Sequence, residues 1–296
     1  MISKEWIPIG VRRAIPNPIK QLPWRVQWMR STSRYKDDYI KTVSSLIGWT
    51  IKEICSSELR YVTSGGMELL TMPNNISAFQ DQIAGGFETN LLMHFRRALS
   101  PGSVVCDVGG NIGVYALEAA RVVGQTGKVI SYEAHPYTFD FLTRNINLHR
   151  FDNVIPLNVA VGDTEGSIFL NYGQGNSGST HVALNQEGIE VPMVTLDESL
   201  RRHGIVYLDY LKIDVEGYEL PVLRGALNII KQSPSLIIQI EVDQGNLSRF
   251  GNDTNELVDF LLQLGFEPRG VAPDGSTTSV NPYTVKYGDL IWRRPE

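Results

Sequence analysis

The sequence predicts an α/β fold of Rossmann-like type, a mostly parallel sheet with helices on both faces, carrying a helical and hairpin extension at its N-terminal side. Three observations predict it. From residue 103 onward, short apolar strand-like runs alternate with helix-like ones, the pattern of βα units on a parallel sheet. The run Val104-Val105-Cys106-Asp107-Val108 ends in Gly109-Gly110-Asn111-Ile112-Gly113, a glycine-rich turn leading straight into a helix. A second acid, Glu133, closes the next strand-like run, 24 residues after Gly109. In such sheets ligands bind at the carboxyl ends of the strands.

The elements follow in order. Residues 1–34 are rich in Pro, Trp and Arg without clear periodicity and read as an irregular arm. Over 36–56, Tyr39, Ile40, Val43, Leu46, Ile47, Ile51 and Ile54 recur at helical spacing and predict one amphipathic helix. Arg60–Thr63 and Met67–Thr71 flank Ser64-Gly65-Gly66, a β-hairpin signal. Phe87, Leu91, Leu92, Phe95 and Leu99 mark a second helix, which Pro101-Gly102 ends. Strands at 103–107, 128–132 and 154–159 then alternate with helices at 113–123 and 136–148. After a less regular stretch at 163–194 come a short helix near 196–201, a strand at 207–213, a helix at 219–230 and an apolar strand at 236–240. A helix at 256–264 and strands at 266–270 and 284–293 finish the chain. This divides it into a cap of arm, helix and hairpin over 1–85 and one α/β domain over 86–296.

Composition narrows the function. The chain has 296 residues, 42% of them hydrophobic and 20% charged, with a net charge of -5. That balance argues against a nucleic-acid partner held through a basic face. Cys55 and Cys106 form neither a disulfide framework nor a metal-ligand pattern, and Cys106 reads as a core residue. The first residues lack the apolar core of a signal peptide. No run approaches the ~20 apolar residues of a membrane span. A soluble protein of the reducing cytoplasm, without a membrane span, is expected. Four tryptophans precede residue 50 (Trp6, Trp24, Trp28 and Trp49). They suit cap packing, an apolar acceptor groove or a homo-oligomer contact.

The glycine turn carries the chemistry. A dinucleotide fingerprint needs G-x-G-x-x-G, but Asn111 stands where its second glycine belongs. A carboxylate at Asp107 would sit poorly beside a pyrophosphate. It suits a ligand with an ammonium or sulfonium group, such as S-adenosylmethionine, while Glu133 can accept the two hydroxyls of a ribose. Glycine turns also arise for steric reasons alone. The second strong element is Leu211-Lys212-Ile213-Asp214-Val215-Glu216-Gly217. Strand alternation would place Lys212, Asp214 and Glu216 on one side if extended geometry persists. One reading is a Lys212–Asp214 pair with Glu216 capping the next helix. The other is a carboxylate cluster facing an acceptor, joined by Glu241 and Asp243, in which mutual repulsion raises pKa values toward a general base's range. Asp214 and Glu241 could also hold Mg²⁺.

In order, Asp107–Gly113, Tyr132-Glu133-Ala134-His135-Pro136, Asn145-Ile146-Asn147 and Lys212-Ile213-Asp214-Val215-Glu216-Gly217-Tyr218-Glu219 resemble the FkbM-type methyltransferases. The resemblance covers about 86–243 and implies a class I methyltransferase fold with a seven-stranded sheet. It implies S-adenosylmethionine as cofactor and a hydroxyl of a sugar, polyketide or other natural product as acceptor. By that resemblance Asp107, Gly109, Asn111 and Gly113 line the methionine end, Glu133 holds the ribose, and Ala160 to Gly162 flank the adenine. Glu88 approaches the cofactor from outside. Gly110 replaces a more usual Ala. His181 ends a loop, 176–181, similar to a family loop near the active site, and could take an acceptor proton; His135 reads as lining the adenosine. The expected enzyme is an O-methyltransferase with Asp214 as first candidate base and Glu216, Glu241 and His181 behind it. N- or C-methylation, an RNA acceptor included, and a non-catalytic fold relative stay open, as does a nicotinamide enzyme.

Overall fold

The computed structural model describes residues 18–171, 180–183 and 187–295. These form two compact units, one of residues 18–89 with Thr180, the other of residues 90–171, 181–183 and 187–295.

In the first unit, α1 (Pro18–Ser31), α2 (Ser33–Asp37) and α3 (Tyr39–Cys55) stand where an irregular arm and one helix were expected. Pro18 opens α1 at a position whose N–H has no helical partner in any case. The Asp38 carboxylate accepts the Lys41 N–H at 3.0 Å, so the chain starts α3 afresh instead of continuing α2. Arg25 of α1 is buried and forms an ion pair with buried Glu53 of α3, and Glu53 also accepts the Asn74 N–H at 2.8 Å. Buried charges persist only when paired in this way. The hairpin forms as β1 (Leu59–Val62) and β2 (Glu68–Thr71), followed by α4 (Ile76–Ala84). The periodicity of α3 misleads about which face is inside. Leu46 and Trp49 are buried, Trp49 edge-on to Tyr61 at 5.9 Å, while Tyr39, Ile40, Ile47, Ile51 and Ile54 are exposed.

The second unit follows α5 (Thr89–Ala98) with β3 (Val104–Val108), α6 (Val114–Val123), β4 (Lys128–Tyr132), α7 (Pro136–His149) and β5 (Val154–Leu157). Then come β6 (Ala160–Gly162), β7 (Gly166–Asn171), β8 (His181–Val182), β9 (Ile189–Thr195), α8 (Leu196–Arg202) and β10 (Tyr210–Ile213). The chain closes with α9 (Glu219–Arg224), α10 (Leu227–Gln232), β11 (Ile237–Asp243), α11 (Gln244–Arg249), α12 (Thr254–Gln263), β12 (Glu267–Val271), β13 (Thr277–Ser279) and β14 (Tyr287–Arg293). The main sheet runs β13-β12-β14-β11-β10-β3-β4-β5. Its five strands from β11 to β5 are parallel, and β14, β12 and β13 join antiparallel. The strand count is eight, one above expectation, because the short β13 pairs with β12. Ile130, Leu211, Ile213, Ile238, Ile240 and Trp292 fill the core, with Cys106 fully buried among them.

The strand expected over 154–159 ends at Leu157. Asn158 donates from its amide to the carbonyls of Glu133 and Ala134 at 2.8 and 3.1 Å, turning the chain away. Ala160–Gly162 then enters a second sheet, β6-β9-β7-β8, which gives order to the stretch read as irregular. The helix expected over 219–230 is two helices, because Gly225 lies against the Gly162 carbonyl, 2.0 Å from where a Cβ would stand.

Candidate active site

The candidate site lies at the carboxyl ends of β3, β4, β10 and β11, within the second unit. β10 pairs with β3 in register Lys212 to Asp107, and with β11 in register Lys212 to Gln239. The first turn is built by glycine. Gly109 (φ +88°), Asn111 (φ +48°) and Gly113 (φ +99°) take left-handed backbone conformations, which glycine adopts freely and asparagine tolerates. The Gly109 and Gly110 N–H groups both donate to the Tyr132 carbonyl, at 2.9 and 2.8 Å. The turn is also held from β10. The Asp214 N–H donates to the Val108 carbonyl at 3.0 Å, and a Cβ on Gly109 would stand 1.8 Å from the Asp214 carbonyl oxygen. A Cβ on Gly113 would meet Leu117 and Leu142 at 2.6 and 2.8 Å.

Two acids face this turn. Asp107 is buried. Its Oδ2 accepts the Ser131 hydroxyl at 3.1 Å, and its Oδ1 has no hydrogen-bond partner among the described residues. Burial raises its carboxyl above the usual range, and the Lys212 ammonium opposes that. Glu133 accepts the Asn111 N–H on one oxygen (2.9 Å) and the His135 N–H on the other (2.8 Å), tying the two turns together. Burial pushes its carboxyl up to about 7, against those two hydrogen bonds. His135 is pushed down to about 4 by burial, so its ring is neutral.

Beyond β10 the extended chain stops at Ile213. Lys212 Nζ lies 2.8 Å from Asp214 Oδ2, and 4.6 Å from the centre of the Tyr115 ring. The alternation does not reach Glu216, whose φ of +55° turns its side chain aside, to accept the Asn246 amide at 2.6 Å. Glu216 therefore does not cap the following helix. Glu219 closes that turn instead, taking the Gly217 N–H at 2.9 Å. Burial raises Glu216 to about 8 and Glu219 to about 7, with the Asp214 charge adding to both. Glu241 is raised further, by burial and then by Asp214 and Glu216. Asp243 does not join this group through its Oδ1, which accepts the N–H groups of Gly245 and Asn246 and caps α11.

The remaining sequence-predicted residues stand on other segments. His181 is on the edge strand β8, paired in register with Asn171, and residues 176–179 of its loop are outside the described residues. Ala160 is buried in β6 opposite Met193. Gly162 packs on Met193 and Tyr218, where a Cβ would find 2.6 and 3.1 Å. Glu88 belongs to the first unit, with φ +44°. Among the described residues, no three His, Cys, Asp or Glu side chains converge as a metal site.

Two groups, Gln239 and Asp289, escaped the sequence reading. Gln239 donates to Tyr115 Oη (3.1 Å) and Asp289 (2.9 Å) and accepts the Tyr210 hydroxyl (2.9 Å). Its signal was a lone polar residue inside the apolar run 236–240. Asp289 is half-buried; desolvation raises its carboxyl and the Lys212 charge opposes that. Asn145 donates its amide to the Ile112 carbonyl at 2.8 Å and pins the glycine turn from α7.

The donor set fits S-adenosylmethionine. A buried carboxylate oxygen without a partner at Asp107 suits a ligand cation. Glu133 uses one hydrogen bond on each oxygen and keeps lone pairs for hydroxyl donors. The glycine turn admits a ligand close to its backbone. The hexuronic acid methyltransferase AglP of Haloferax volcanii is 29% identical over 137 residues, 46% of this chain and 55% of that protein. The methyltransferase sdnD of Sordaria araneosa is 27% identical over 154 residues, 41% of this chain and 59% of that protein. The alignments thus span little more than half the length of either relative. The crystal structure of methyltransferase FkbM from Methylobacillus flagellatus KT aligns with 93% of this chain and 59% of its own, at 13% identity and a TM-score of 0.45. The methyltransferase FkbM domain model matches residues 107–268, from the acid before the glycine turn to the sixth strand of the main sheet in chain order. With its glycine turn, Glu133 and its Lys212–Glu219 motif all inside that match, the chain belongs to the FkbM methyltransferase-domain family.

Proposed function

We propose that the protein is an S-adenosylmethionine-dependent O-methyltransferase acting on a hydroxyl of a sugar or similar small molecule. The observation that carries this is the contact of Gly109 with Asp214, which sets a cofactor-type turn directly against an ion-paired carboxylate. The cofactor, when bound, supplies an electrophilic sulfonium methyl. The residues of this chain then need only hold an oxygen in line and take its proton, and alignment accounts for most of such an acceleration. Asp107 would take the cofactor's ammonium, Glu133 its ribose hydroxyls, and Ala160 to Gly162 would border the adenine. Asp214 is the base we assign, since it reaches the rim already ion-paired. Glu216 and Glu241 hold protons near pH 7 and would donate hydrogen bonds to the acceptor. Mg²⁺ fits poorly between Asp214 and Glu241, because Lys212 already occupies the cation position beside Asp214.

The relative that methylates a hexuronic acid supports a sugar acceptor, and the acidic rim and net charge of -5 disfavour RNA. The test is methyl transfer from labelled S-adenosylmethionine to hexuronic acids and neutral sugars, with and without Mg²⁺, and product analysis by NMR. An O-methyl ether formed without metal is expected. A methyl ester, an N-methyl product or transfer only to RNA would replace the acceptor assignment.

A further inference from the structure

The first unit exposes an apolar surface that its own core does not use. On α3, Ile40, Ile47, Ile51 and Ile54 are 67%, 56%, 54% and 52% exposed. At 3.6 residues per turn these four fall within about 60° of arc. Leu46 and Trp49, which face the core, lie on a different sector. The stripe continues into a cleft of about 400 Å³ between α1 and α3, lined by Leu22, Val26, Val43, Ile47 and Ile51. Patches of this kind on a folded chain mark interaction surfaces.

Charge selects the occupant. In a chain of net charge -5, α1 and α3 together carry Lys20, Arg25, Arg30, Lys41 and Lys52 against one acid, Glu53. That acid is buried on Arg25, so the exposed charges of both helices are all cationic. Lys41 and Lys52 lie on the same side of the isoleucine stripe, about 100° and 120° around the helix from Ile40. Among the acids flanking α3 in sequence, Asp37 and Asp38 precede it and Glu58 follows it, and Asp38 is engaged as its cap. A second copy packed on this stripe would set lysines beside lysines with no exposed carboxylate on α1 or α3 to offset them. No helix among the described residues is long and apolar enough to cross a membrane. An apolar stripe flanked by lysines is instead the composition of a helix lying in the plane of an anionic bilayer surface.

We propose that the α1–α3 face docks on a lipid bilayer bearing anionic headgroups, with the α3 isoleucines in the interface and Lys20, Arg30, Lys41 and Lys52 over the phosphates. This is independent of which acceptor the enzyme methylates. The test is co-sedimentation of the full chain with phosphatidylcholine vesicles, with and without phosphatidylglycerol. The chain is expected to partition onto the anionic vesicles only. Raising the ionic strength from about 0.1 M to about 1 M, which shortens the screening length from about 10 Å to about 3 Å, should release much of it. Lys41→Ser with Lys52→Ser should lower the partition coefficient roughly 30-fold. Ile47→Ser with Ile51→Ser should abolish binding, while the melting temperature and S-adenosylhomocysteine binding stay at wild-type values. Absent or charge-independent vesicle binding, or variants that partition like wild type, would overturn the proposal. So would a concentration-dependent dimer that the isoleucine variant dissolves.

Discussion

Gly109 and Asp214 touch backbone to backbone, so closely that a Cβ on Gly109 would lie 1.8 Å from the Asp214 carbonyl oxygen. The contact joins the turn that would receive the cofactor to the carboxylate we assign as base, and neighbouring strands β3 and β10 enforce it through their register. Gly109→Ala must therefore move one of the two turns, at a φ of +88° that an L side chain resists. The expected loss is about 2–4 kcal/mol of stability, with cofactor affinity and turnover falling together. A thermal melt and a product-binding titration on the same sample check it, and wild-type values in both would remove the contact from the mechanism.

Gly110 faces a side chain instead of a backbone. A Cβ there would stand 2.2 Å from Ser131 Oγ and 3.2 Å from Asp107 Oδ2. Gly110→Ala should displace the Ser131 hydroxyl from Asp107 at a cost of about 1–2 kcal/mol. Ser131→Ala in the same chain should recover most of that loss, so a double-mutant cycle will show a coupling above about 0.5 kcal/mol. Additive losses would mean that the alanine strains something other than Ser131.

Lys212 is the buried cation among Asp107, Asp214 and Asp289. Lys212→Met keeps much of the stem and leaves three carboxylates without it. The expected destabilisation is on the order of 3–5 kcal/mol, relieved as pH falls because protonation removes the uncompensated charges. A melt series from neutral to acidic pH tests this; a deficit that is constant with pH would contradict the charge argument. Asp214→Asn is the milder change. It should lower turnover by roughly 100-fold or more while product affinity stays near wild type.

The raised carboxyls make stability depend on pH. Glu133 and Glu219 titrate at about 7 and Glu216 at about 8 in the folded chain, above the ordinary 4.5. Between those values the folded chain holds protons that the unfolded chain has released, so their contribution is full in acid and is lost as pH rises through 7 to 8. For Glu133 the displacement corresponds to on the order of 3 kcal/mol. The melting temperature should fall by several degrees between pH 5.5 and pH 8.5, about 2–4 °C per kcal/mol lost. Glu133→Gln should flatten part of the slope. Product affinity should move the opposite way, rising with pH through about 7, because ribose hydroxyls donate best to an ionised Glu133. A melting temperature that rises across the window would refute the burial assigned to these groups.

The parts legible in the sequence are those set by local pattern. Alternating apolar runs mark the parallel strands, and the residues from Asp107 to Gly113 mark a turn that few side chains other than glycine can enter. The Lys212–Asp214 pair was also readable from spacing two apart on a strand. The rest depends on what a pattern does not encode. Periodicity places Ile40, Ile47, Ile51 and Ile54 on one face of α3 but says nothing of whether that face is covered. Glu216 breaks the alternation through a left-handed φ that glutamate rarely adopts, so Glu219, not Glu216, caps the turn. The sequence reads as one strand over 154–159, and only the Asn158 hydrogen bonds to Glu133 and Ala134 show why the chain changes sheets there. Asp289 comes to Lys212 from the last strand of the chain, a pairing no short window contains.

The most direct measurement is a calorimetric titration of the full chain with S-adenosylhomocysteine, with NADH as a parallel control. Saturable binding of one molecule per chain, weakened by Glu133→Ala and by Gly109→Ala and absent for NADH, is the predicted result. No heat with S-adenosylhomocysteine, or a response to NADH, would contradict the assignment of the glycine turn and its two acids to a methyl-donor cofactor.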